Sequence, residues 1–113
     1  MTHTKQQELN MNYIKPNDSS RKGDLAEYYA VTWLWDNGYE VFQNSGCSGP
    51  VDMIAMDKEG LISLIDVKTF KNASNGTLVN VPHSRTKEQK ELGVKILGFN
   101  PETRELKFIK HRK

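Results

Sequence analysis

The sequence predicts an α/β domain, a β-sheet with helices packed against it. Three features carry the prediction. A helical pattern spans residues 21–37 and stops at Gly38. Two strand-like stretches, 51–57 and 61–69, flank Lys58-Glu59-Gly60. A second helix opens at Thr86-Lys87-Glu88-Gln89, where Thr86 and Gln89 are spaced to cap each other's amides.

The chain has 113 residues, room for one ordinary domain and not two. Hydrophobic residues make up 36%, enough for a core and above the share expected of disorder. Sixteen Lys and Arg stand against 14 Asp and Glu, a net charge of +2. Overall charge therefore makes no case for nucleic acid, and any such case must rest on local placement. A single cysteine, Cys47, excludes an internal disulfide framework and a multi-cysteine zinc site. No apolar run approaches the roughly 20 residues of a membrane span, and the first residues lack the apolar stretch of a secretory signal. The expectation is a cytoplasmic protein with no membrane partner, or one in the host cytoplasm if a virus encodes it.

Residues 1–20 are polar and contain Pro16-Asn17-Asp18-Ser19-Ser20, which reads as a flexible arm ending in a helix-entry signal. Residues 21–113 form the single domain. After the first helix comes a short strand at 39–43, then a turn-rich loop from Asn44 to Pro50, then the two strands around Gly60. Residues 70–83 read as loop with a short strand at 78–81. The second helix is short and ends near Gly93. Strands at 94–99 and 105–109 close the chain as a hairpin around Asn100-Pro101-Glu102-Thr103. Two glycosylation-like triplets, at Asn72 and Asn75, read as turn chemistry, and His3, His83 and His111 show no ligand spacing.

Three carboxylates and a lysine break the ordinary core pattern. Glu27 lies on the stripe of Ala30, Val31 and Leu34 at 100° per residue. The plainer account is a glutamate complementing the dipole of a fraying first turn. A three-residue loop with Gly60 left-handed sets the register so that Asp52 faces Asp66 directly, about 5 Å apart at Cβ. Lys68 projects from the same face, whose remaining residues, Ile54, Met56, Ile62 and Leu64, read as core. At an effective dielectric near 20, repulsion between the two aspartates is about 3 kcal/mol. A proton, Lys68 or a divalent cation must offset it. The plainer account is a rim where Asp66 and Lys68 pair while Asp52 faces water. The sharper one is a hard-cation site, since magnesium accepts one or two carboxylates with waters and phosphate oxygens. The Val67 carbonyl is positioned in sequence to complete it.

In order, Glu27, Gly49-Pro50-Val51-Asp52 and Asp66-Val67-Lys68 resemble the PD-(D/E)xK nuclease superfamily. Within it the chain looks most like the archaeal-type Holliday-junction resolvases. Arg21-Lys22-Gly23 ahead of Glu27, Gly38-Tyr39-Glu40-Val41, Asp52-Met53-Ile54-Ala55 and Ile65-Asp66-Val67-Lys68 carry that likeness. It covers about residues 21–70, and the proline stands one position early. The resemblance implies a restriction-endonuclease-like αβββαβ core with a mixed central sheet flanked by helices. It also implies that Glu27, Asp52, Asp66 and the Val67 carbonyl hold one or two Mg2+ ions, with Mn2+ a substitute, while Lys68 assists water attack on a phosphodiester. Gln89 resembles an accessory glutamine of some relatives, though the capping box explains it equally well. Ser45 and Ser48 are candidates for a loop serine used by family resolvases.

Arg21, Lys22, Lys71, Arg85 and Lys87 are placed for a phosphate track, each also readable as a solvated charge. Trp33 and Trp35 fall on different sides of the first helix, so one is expected to mark a dimer surface. The implied function is a magnesium-dependent DNA endonuclease, a homodimeric resolvase of four-way junctions. The alternatives are another endonuclease of the superfamily, of phage nicking or intron-encoded type, and a non-catalytic nucleic-acid-binding module.

Overall fold

A computed structural model describes residues 19–46, 48–72, 78–80 and 85–110. Helix α1 (Ser19–Asp36) begins two residues inside the stretch expected to be the arm. It stops where the sequence predicts. Gly38 takes φ +87°, and the Gly38 and Tyr39 amides return to the Trp35 and Leu34 carbonyls at 3.0 Å each. Only a residue without Cβ takes that left-handed turn at no steric cost.

Strand β1 (Glu40–Gln43) pairs antiparallel with β2 (Met53–Met56), and β2 pairs antiparallel with β3 (Ile62–Asn72). Helix α2 (Lys87–Leu92) lies in the crossover to β5 (Lys95–Phe99), which runs parallel to β3. Strand β6 (Leu106–Phe108) closes the far edge antiparallel to β5. The sheet order is β1-β2-β3-β5-β6, and β4 (Leu78–Asn80) pairs with the end of β3. The mixed sheet flanked by helices is the architecture that the sequence predicts.

The β2–β3 turn is also as expected. Gly60 has φ +84°, Asp57 N–H donates to the Leu61 carbonyl at 3.0 Å, and Asp57 Oδ1 accepts from the Glu59 and Leu61 amides. The register follows, with Met53 opposite Ile65 and Met56 opposite Ile62.

The buried face of this hairpin is the other one. Ala30, Val31 and Leu34 of α1 pack on Met53, Ala55, Ile65 and Leu97, all nearly inaccessible. Ile54, Met56 and Leu64 are partly exposed, and Ile62 is 54% exposed. Both faces of the hairpin are apolar in sequence, so alternation alone does not say which one the helix covers. The small Ala55 gives α1 room to approach.

Gly98 on β5 faces the ring of Phe70, and a Cβ there would lie 2.5 Å from a ring carbon. Trp33 meets the Phe108 ring edge-on at 5.8 Å, whereas Trp35 is 60% exposed beside the exposed Tyr28. The outward-facing tryptophan is thus Trp35. Among the described residues no helix is long and apolar enough to cross a membrane.

Candidate active site

The ladder between β2 and β3 ends at Met53 and Ile65, and Asp52 then departs from it. Asp52 N–H donates to the carbonyl of Ile65 at 2.8 Å, the residue already paired with Met53. Two residues of one strand thus oppose one of the other. This is a β-bulge, a device that re-aims a side chain at a strand end. Direct opposition of Asp52 and Asp66 is corrected accordingly; nothing in Val51-Asp52-Met53 signals the extra residue. Loop residue Asn44 braces the bulge, its N–H donating to the Asp52 carbonyl at 2.9 Å. Its Nδ2 holds the Ser48 and Val51 carbonyls at 2.6 and 3.0 Å, and its Oδ1 accepts the Gly46 amide.

The two aspartate side chains are still neighbours, near enough that a hydrogen bond to Asp66 is one cause of the raised Asp52 pKa. Asp52 Oδ2 also accepts the Val67 amide at 2.7 Å. Asp66 is 7% exposed, and its Oδ2 accepts from Gln89 Nε2 at 3.0 Å and ion-pairs with Lys68 Nζ at 3.2 Å. Burial, foremost, and the bond to Asp66 push the Asp52 carboxyl up to about 7, although the Val67 amide pulls the other way. With a pKa of about 7, Asp52 holds its proton through the acidic range and loses it around neutrality.

Glu27 reaches the site from α1 and is half-buried. Burial raises its pKa first, then the charges of Asp24 and Asp66. A cleft of about 170 Å³ is lined by Asp24, Glu27, Asn44 and Asp52. A neighbouring one of about 360 Å³ joins Asp24, Glu27 and Asn44 to Tyr28, Gln43 and Ser45. Among the described residues, no three His, Cys, Asp or Glu side chains are gathered closely enough to hold a metal ion. Glu27 joins the aspartates through the cleft and its field, not as a third ligand already in place.

Gln89 has two sets of partners. It closes the capping box with Thr86, and its side chain bonds Asp66 and the Pro50 carbonyl. Ser45 is exposed on the larger cleft, while Ser48 is exposed in the loop and gives its carbonyl to Asn44. Arg21 and Lys22 are exposed near the start of α1, and Lys87 is exposed as the first residue of α2. Arg85 is half-buried instead, with Nη1 donating to the Val94 carbonyl at 3.2 Å and Nε buried without a partner among the described residues. Lys71 is in β3, but its side chain lies outside the described residues. Asp24 and Asn44 are the residues that sequence reasoning passed over. The i, i+3 spacing of Asp24 and Glu27 was the available signal for one, and the turn chemistry of Asn44 for the other.

The donor set is all oxygen, with two neighbouring carboxyls and a third acid across a cleft, which is the chemistry a hard divalent cation takes. No family model matches the chain. A UPF0102 protein of Trichlorobacter lovleyi is 36% identical over 56 residues, which is 48% of this chain and 44% of that relative. The chain thus spans less than half the length of that relative. Among solved structures, a bacterial homing endonuclease superposes with a TM-score of 0.60 at 18% identity, over 81% of this chain and 64% of the other. With the sheet order above, this likeness establishes the restriction-endonuclease-like α/β fold.

Proposed function

We propose that this chain is a metal-dependent DNA endonuclease that hydrolyses phosphodiester bonds. The observation that carries the reading is the convergence of two carboxyls on one short stretch of β3, Asp52 Oδ2 on the Val67 amide at 2.7 Å and Asp66 Oδ2 beside Lys68 Nζ at 3.2 Å. Ordinary folding gains nothing from pressing two acids together at a sheet end. Asp52 and Asp66 would hold Mg2+, or Mn2+ in its place, with Glu27 and the Val67 carbonyl as the further donors. The bound cation supplies charge to polarise the phosphodiester and to acidify water. Lys68 then balances the negative charge that builds on the phosphate oxygens as water adds and a phosphorus–oxygen bond breaks. Arg21, Lys22 and Lys87, all exposed, would position the backbone of the DNA without reading its sequence.

Two substrate classes divide the reading. The likeness of the sequence to archaeal-type resolvases favours a homodimer acting on four-way junctions, with Trp35 and Tyr28 at the dimer surface. The homing endonuclease neighbour favours a site-directed cutter of linear duplex, the intron-encoded type. One gel assay tests all of this: the protein with a four-way junction and with a linear duplex of matching sequence, with and without Mg2+. Cleavage only with Mg2+ supports the endonuclease, and the preferred substrate selects the class. Binding without cleavage in any metal would mark a non-catalytic DNA-binding module.

A further inference from the structure

We infer that Gln89 is a positioning residue that ties the loop before Asp52 to Asp66 and so sets the affinity of the acidic pair for a divalent cation. The inference rests on the reading of Asp52 and Asp66 as cation ligands. Gln89 is only 5% exposed, and both ends of its side-chain amide are engaged. Oε1 accepts the Thr86 amide at 3.0 Å, while Nε2 donates to the Pro50 carbonyl at 2.9 Å and to Asp66 Oδ2 at 3.0 Å. A primary amide has two N–H donors, and both are spent here. The partners also fix which end is nitrogen: a backbone amide can only donate and a backbone carbonyl can only accept.

Capping alone does not require this residue. Glutamate at the third helical position closes a capping box equally well and suits the helix dipole better. What glutamate lacks is the pair of N–H donors that Pro50 and Asp66 take up. Pro50 lies two residues before Asp52, so a single amide bridges the chain leading to one aspartate and the carboxylate of the other. Lys68 Nζ shares the same Asp66 oxygen, so that carboxylate is oriented from two sides. Without Gln89 the Pro50 carbonyl loses this partner, Asp66 keeps Lys68, and the spacing of the two acids is no longer fixed. Residues that orient metal ligands in this way typically change affinity 10–100-fold when replaced.

The test compares two variants that both lose the capping box. Thr86→Ala removes the hydroxyl half and leaves Nε2 in place, whereas Gln89→Met keeps the volume and removes the donors. Mg2+ and Mn2+ are titrated calorimetrically into the full chain without DNA, and thermal melts are recorded in chelator. Thr86→Ala is expected to melt lower with cation affinity within about twofold of wild type. Gln89→Met is expected to melt lower too, but to bind cation about tenfold or more weakly. If Gln89→Met does not fold, Gln89→Asn, which withdraws the amide by one methylene, is held to the same criterion. Equal affinity in the glutamine variant and wild type, or equal losses in both variants, overturns the inference and leaves the cation site standing. If the wild-type chain binds neither cation, the site itself is wrong and the role of Gln89 falls with it.

Discussion

Asp52 is neighbour to Asp66, and burial first, then Asp66, hold the Asp52 carboxyl at a pKa of about 7. A proton is thus retained where the proposed function places a cation. The sign of the linkage follows. The folded chain holds a proton on Asp52 that the unfolded chain releases near 4, so stability falls as pH rises from about 4 to about 7. Asp52 is only half-buried, and solvent screening reduces the effect to about 1–2 kcal/mol. Asp52→Asn, neutral and able to donate to Asp66, is expected to remove this part of the pH dependence and to melt higher than wild type at pH 8 in chelator. Parallel pH slopes for the two proteins would show that no such proton is held.

A cation must displace that proton. Binding of Mg2+ should therefore release about one proton below pH 7, and affinity should rise roughly tenfold per pH unit up to about 7 before levelling. Calorimetric titration from pH 5.5 to 8.5 measures both quantities. Affinity that does not change over this range would remove Asp52 from the ligand set.

Asp52→Asn should also abolish Mg2+-dependent cleavage while retaining DNA binding, because it removes a ligand charge and a repulsion with phosphate together. Lys68→Ala should lower the single-turnover rate about 100-fold and weaken DNA binding far less. A lone phosphate contact adds only about one unit to the salt dependence of affinity. A Lys68→Ala protein with weaker binding and an unchanged rate would make Lys68 a positioning contact alone.

Gly98→Ala tests the packing behind the site. The added methyl would lie 2.5 Å from the Phe70 ring and 3.1 Å from Ile109 Cδ1. Phe70 is 4% exposed and has little room to yield, so the cost should be about 1–3 kcal/mol by denaturant unfolding. Phe70→Leu combined with Gly98→Ala should recover part of it. A neutral Gly98→Ala would mean that the ring moves freely.

What was legible in the sequence was local. The Gly38 stop, the Gly60 turn with its register, and the Thr86–Gln89 box each depend on residues a few positions apart, and each occurs as read. That register put Asp52 directly opposite Asp66, and the bulge at Asp52 overturns this opposition. Illegible were the features set by distant parts of the chain. Which hairpin face is buried depends on where α1 comes to rest. Arg85 turns to the Val94 carbonyl because α2 ends beside it, and no spacing rule predicts that. Asn44 and Asp24 enter the cleft only once the loop and helix are placed in three dimensions.

Strand β3 is the central strand up to the edge of the site: Met53 to Met56 of β2 pair with Ile62 to Ile65, and β5 pairs with Ile65 through Thr69, so Asp66, Val67 and Lys68 have a ladder on the β5 side alone. Amides in its doubly paired part, up to Ile65, can exchange with solvent deuterium only when the centre of the sheet opens, near the full free energy of unfolding, whereas the Val67 amide, held by the Asp52 carboxyl, is freed as soon as Asp52 departs. The loop from Asn44 to Val51 has mostly side-chain ties and should exchange orders of magnitude faster. Heat or denaturant would then separate Asp52 from Asp66 by releasing the loop first, so the two proposed ligands should part while the sheet still stands.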